Sequence, residues 1–126
     1  MKVNIEDDAV LTYIDGLSAE FYSIVYKLLE LMLEADPKLN IGFQSKRITI
    51  TKEENWKKWI FGISSMSKAL NLEIRIGEKI EDPKGILQGT PQKPLRFIHF
   101  KELKEITKIQ PALVEIFKKG IATFGQ

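Results

Sequence analysis

The sequence predicts an α+β fold: a two-layer sandwich in which N-terminal and C-terminal helices pack on one face of an antiparallel meander sheet. Three observations predict it. Apolar residues recur at helical spacing near both ends of the chain, whereas through the middle they alternate with polar ones, the period of a half-buried strand. The segments joining the alternating stretches are too short for parallel crossovers, so the strands must pair antiparallel. Helices with one apolar stripe and a sheet with one apolar face then bury each other.

From Asn4 to Leu17 the residues Val10, Tyr13, Ile14 and Leu17 fall on one helical face; Asn4 is the expected cap, and Glu6, Asp7 and Asp8 complement the helix dipole. Gly16-Leu17-Ser18 interrupts the helix. Ser18 caps a longer one, running to about Asp36, whose stripe is Phe21, Ile24, Val25, Leu28, Met32 and Ala35, widened by Tyr22, Tyr26, Leu29 and Leu33. Asp36-Pro37 stops it. Strands are expected at Arg47–Thr51, Trp59–Ile63, Leu70–Ile76 and Leu95–Phe100, with Ile41–Gln44 beginning the sheet. Near the C-terminus, Lys101–Ile106 reads as a short helical segment. Pro111 suits the first turn of a separate helix to Phe124, with Leu113, Ile116, Phe117 and Ile121 on its inner face and Gly120 weakening its interior.

The 126 residues, 44% of them hydrophobic, suffice for one core and one domain. No apolar run reaches the ~20 residues of a membrane helix. The acidic start at Glu6-Asp7-Asp8, where a secretory signal turns apolar, leads to the expectation of a cytoplasmic protein without membrane contact. Absence of cysteine excludes disulfides, thiol nucleophiles, cysteine-ligated zinc and iron–sulfur clusters. A net charge of +2 is too small to argue by itself for nucleic acid.

The most specific run is Asp82-Pro83-Lys84-Gly85-Ile86-Leu87-Gln88-Gly89-Thr90, followed by Pro91, Gln92, Lys93, Pro94 and the alternating Leu95-Arg96-Phe97-Ile98-His99-Phe100. Glycines and prolines at this density make an irregular loop, and Ile86-Leu87 gives it an apolar anchor. Amides around Gly85, Gly89 and Thr90 form an expected nest for a small anion, with Lys84, Lys93 and Arg96 supplying charge. The competing reading is that both glycines merely route the chain between strands while the cations stand in solvent. His99 is included in the ligand-binding set; acid/base catalysis there would need Glu102 or Glu105 as partner.

Elsewhere, Glu6, Asp7 and Asp8, with Asp15, form the one acidic group suited to weak metal binding, although residues seven apart on a helix stand about 10 Å apart. The ordinary role of such acids is dipole complementation. Lys46-Arg47, Lys52 and Trp56-Lys57-Lys58-Trp59 set cations beside aromatics in the manner of single-strand binders. Against this, Glu53 and Glu54 break the positive field, and Trp59 is expected in the core.

The loop strongly resembles the signature of the YdhG-like domains. Asp82-Pro83, Gly85-Ile86-Leu87, Gly89-Thr90 and the cations Lys93 and Arg96 look like that family's aspartate-proline, glycine-leucine-leucine, glycine-threonine and basic positions. The chain departs from the pattern at Phe97, where many members carry histidine, and at Pro91 and Gln92, where many carry glycine and lysine. The resemblance implies a frataxin-like arrangement of helices about an antiparallel sheet, and it brings iron handling as an inherited alternative. The expected function is non-catalytic binding of a small anionic molecule or a protein partner through the Gly85–Arg96 region. Frataxin-like iron binding or delivery through Glu6, Asp7 and Asp8 is second; an acid/base enzyme or a weak nucleic-acid binder is third. No cofactor is expected apart from weakly held iron.

Overall fold

The computed structural model describes residues 3–75, 80–90 and 93–123. The expected strand end at Ile76, the loop residues Pro91 and Gln92, and the helix end at Phe124 lie outside them. Two helices come first, α1 (Asp8–Asp15) and α2 (Ala19–Ala35). Five strands follow, β1 (Asn40–Gln44), β2 (Arg47–Thr51), β3 (Phe61–Ser65), β4 (Leu70–Ile74) and β5 (Arg96–Phe100), and α3 (Leu103–Ala122) closes the chain. The sheet order is β1-β2-β3-β4-β5 with every neighbour antiparallel, the meander the short connections require.

Register sorts the side chains into two faces. Ile48, Ile63, Leu72 and Ile98 stand in one row, and Ile50, Phe61, Ile74 and Arg96 in the next. These face the helices, and all but Arg96 join the apolar core with Val10, Ile14, Ile24, Leu28, Leu29, Ile106, Leu113 and Phe117. Phe61 and Phe117 meet edge to face at 5.0 Å, locking β3 to α3. The opposite face bears the row Gly42, Thr49, Gly62, Glu73, Phe97, and no α-helix of the described residues packs on it.

The N-terminal cap differs from expectation. Asp7, not Asn4, caps α1, its Oδ1 accepting the amides of Ala9 at 2.9 Å and Val10 at 3.1 Å. Only a residue next to the first turn reaches those hydrogens. Ser18 caps α2 as expected, accepting from Phe21 at 3.2 Å.

The C-terminal helices are one. Pro111 sits inside α3 because Ile106 lies on the same buried stripe as Leu113, Ile116 and Phe117, so packing on both sides of the proline holds the helix together despite the missing amide. Pro111→Ala should therefore stabilise the fold by about 1–2 kcal/mol, the interior proline penalty reduced by the looser unfolded chain. A denaturant midpoint below wild type would contradict this.

Glu105 fastens the start of α3. Its carboxylate accepts the amides of Lys101 and, at 2.7 Å, Glu102. These two bonds, that from Lys101 first, hold its pKa below the ordinary glutamate value. A carboxylate with a lowered folded pKa contributes stability that is present above the unfolded value and lost as pH falls through the folded one. In acid titration followed by circular dichroism, Glu105→Gln should be less stable than wild type near neutrality and converge with it at the acid end. A constant gap down to the lowest pH would refute this role.

Candidate functional site

The Asp82–Thr90 loop is built, but not as an open anion nest. Its negative group is its own: Asp82 Oδ1 accepts the amide of Ile86 and Oδ2 that of Leu87, both at 2.9 Å. The amide of Gly85 donates to the Asp82 carbonyl, and Gln88 and Phe97 exchange amide and carbonyl bonds at 2.7 and 3.2 Å. The four successive hydrogens from Gly85 to Gln88 are thus spent within the chain. Gly85 and Gly89 take positive φ of 64° and 97°, the chain-routing role. Ile80 and Leu87 lie in the core and half-buried Ile86 packs against it, which gives the loop its apolar anchor.

Arg96 also departs from expectation. It is 7% exposed, on the helix-facing side of β5, and donates through Nε to the Gln88 carbonyl and through Nη2 to the Leu87 carbonyl, both at 3.0 Å. A guanidinium in that position completes loop carbonyls and is turned away from solvent. His99 stands on the other face, half-buried and stacked on Phe97 at 4.9 Å. A Cβ on Gly89 would come within 3.2 Å of the Phe97 ring, so the loop crosses the β5 edge and closes against the helix-free face. Lys84, Gly85, Gly89, Thr90 and Lys93 are exposed. The expected ligand set is therefore divided: Arg96 lies inside, while Gly89 and His99 border the helix-free face.

Among the described residues no hydrogen bond or ion pair joins His99 to Glu102 or Glu105. A cleft of about 270 Å³ brings it near Glu105 and Lys108, but Glu105 is engaged with the amides of Lys101 and Glu102. Of the acidic group, Glu6 and Asp8 are exposed and the Asp7 carboxylate caps α1. Among the described residues no three acids or histidines are arranged to hold a metal ion.

The densest chemistry lies on the helix-free face. Lys52 to Asn55 lead into a single 3₁₀ turn, Trp56–Lys58, capped by the Asn55 carboxamide. That turn lays both indoles on the sheet. The six-membered ring of Trp56 covers Gly42, where an added Cβ would lie only 2.3 Å from the ring, and Trp59 lies against Gly62. Arg47 stacks over the Trp59 ring at 4.9 Å and Arg75 at 5.4 Å. Arg47 pairs with Glu73 at 3.2 Å across Gly62, and Arg75 donates to the Lys57 carbonyl.

Trp59 is thus half-buried on the open face, not in the helix-covered core as expected. The signal for this arrangement is the pairing of small with large, Gly42 with Trp56 and Gly62 with Trp59, which becomes visible only once the strand register sets them together. Compared with family models, curated proteins and solved structures, the chain finds no match.

Proposed function

We propose that this chain is a non-catalytic binding domain of the YdhG-like kind that docks an acidic protein partner on the helix-free face of its sheet. Gly89, whose Cα approaches the Phe97 ring, marks the rim of that surface beside β5. The observation that carries the reading is Trp59 flanked by Arg47 and Arg75 on a face left bare by the helices.

Tryptophan and arginine dominate binding energy at protein interfaces, because large rings and fixed guanidinium forks bury area at small entropic cost. Here the guanidiniums lie on the indole, and hydrogen bonds to Glu73 and Lys57 restrain them. A partner's carboxylates meet donors that are already ordered. Exposed Lys46, Lys57 and Lys58 add a positive rim that steers an acidic surface. A protein is favoured over single-stranded nucleic acid because stacked guanidiniums occupy the Trp59 ring and Gly42 occupies one side of Trp56, leaving no free pair of aromatic platforms for successive bases.

Amide-shift titration with an acidic peptide carrying one aromatic residue, alongside a pyrimidine oligonucleotide of equal charge, tests the reading. Shifts at Arg47, Gly62, Glu73 and the Trp59 indole with the peptide support it. Tighter binding of the oligonucleotide at those positions, or peptide shifts confined to the helices, rejects it.

A further inference from the structure

We propose that the outer edge of β5 at His99 docks an extended segment of a protein partner, which pairs its backbone with His99 and sets an aliphatic side chain in the adjoining cleft of about 270 Å³. β5 is the last strand of the sheet, so no further strand lies along that side. The site is two strands away from Gly62, on which Trp59 lies, and stands apart from the surface described above.

The loop shows how this edge is used. Gln88 pairs with Phe97 there, exchanging amide and carbonyl bonds at 2.7 and 3.2 Å. Alternate residues of a strand point their backbone groups to the same side, so the amide and carbonyl of His99 face the edge that those of Phe97 face. Among the described residues no backbone hydrogen bond outside the β4–β5 ladder uses them. The loop itself does not reach them, because the Asp82 carboxylate takes the Ile86 and Leu87 amides and turns the chain away from β5 after one bridge. Beyond His99 the edge closes again: Glu105 accepts the next outward amide, that of Lys101. One donor and one acceptor, spaced for a single antiparallel pair, are thus held between two closed positions.

The cleft opens beside that pair. Half-buried Ile86 on the loop and Ile109 on α3 line it, together with buried Ile98 and Phe100 of β5. Glu105 and Lys108 also line it and bring opposite charges, so the cleft selects for shape and hydrocarbon. A residue paired with His99 shares the face of its ring, beside the Phe97 stack. The residue before it, opposite Phe100, turns to the helix side, where Ile86 and Ile109 stand. Backbone pairing supplies affinity and the alternate side chain supplies selectivity. An extended chain is the occupant that meets both requirements.

The probe is the blocked tetrapeptide acetyl-Ser-Val-Ile-Ser-amide, compared with the same peptide N-methylated at its valine and isoleucine, which cannot pair as a strand. Hydrogen exchange and amide shifts of the full chain are followed. At saturation the unmethylated peptide should slow exchange of the His99 amide about tenfold and shift its proton downfield, and the methylated one should do neither. Ile109→Ala, which opens the cleft wall, should weaken the peptide about tenfold, its unbound spectrum reporting the fold. Absence of a response at His99, equal effects of the two peptides, equal binding by a folded Ile109→Ala, or protection that rises with protein concentration alone, which would assign the edge to a second copy, overturns the proposal.

Discussion

Arg96→Met is expected to destabilise the protein by about 2–4 kcal/mol, because it removes the donor completing a buried carbonyl in a loop that forms part of the core. The Gln88 carbonyl keeps its bond from the Phe97 amide, but the Leu87 carbonyl loses its guanidinium donor. Methionine fills much of the stem's volume, so the loss reports the polar contacts more than a cavity. Asp82 supplies the complementary half of the loop's closure. Asp82→Ala should cost nearly as much, since the Ile86 and Leu87 amides lose one carboxylate together, while Asp82→Asn, which keeps one acceptor, should cost less. Urea unfolding measures all three. An Arg96→Met midpoint within experimental error of wild type would mean that the loop is not held by its own charges.

Gly42→Ala should destabilise by about 2–3 kcal/mol, a large effect for one methyl, because the new Cβ meets the Trp56 ring at 2.3 Å and the indole must leave the strand. Such a substitution in an open strand would ordinarily be neutral or favourable. The same change in a Trp56→Ala background should therefore cost almost nothing, and the coupling between the two positions measures how firmly the indole is seated. Additive losses would show that Trp56 does not lie on Gly42. The predicted indole displacement also gives a red-shifted fluorescence in the single variant.

What the sequence revealed follows from which forces act locally. Arg47–Thr51 is read to the residue because its alternation is strict, and Ser18 is read as a cap because capping depends on the next three residues. The β1–β2 turn carries no such mark. Ser45 and Lys46 take positive φ of 53° and 62° without the asparagine or glycine that usually announces a hairpin, and the pairing of Phe43 with Ile48 imposes the turn from outside. Pro111 reads locally as a beginning, and a stripe extending beyond it makes it an interior residue.

The site was less legible, because its residues are far apart in sequence and come together through register. Leu95-Arg96-Phe97-Ile98-His99 has apolar residues on both faces, so the pattern alone does not tell an inward arginine from an outward one. The Asp82 carboxylate satisfying the amides of the loop it begins is a contact between residues four and five apart, visible in the sequence only as an aspartate before a proline. Trp59 reads from its hydrophobicity as a core residue; only the pairing of β2, β3 and β4 puts Arg47, Gly62 and Glu73 beneath and beside it.

The assignment of the helix-free face as the docking surface is tested most directly by site-specific photocrosslinking in the protein's native cells. A photoreactive phenylalanine is placed at Ser64 on that face or at Glu34 on α2, each with and without Trp59→Ala. One discrete adduct with an acidic protein is expected from position 64, lost with Trp59→Ala, and no such adduct from position 34. An adduct formed from position 34 alone, or one from position 64 that survives the loss of Trp59, would contradict it.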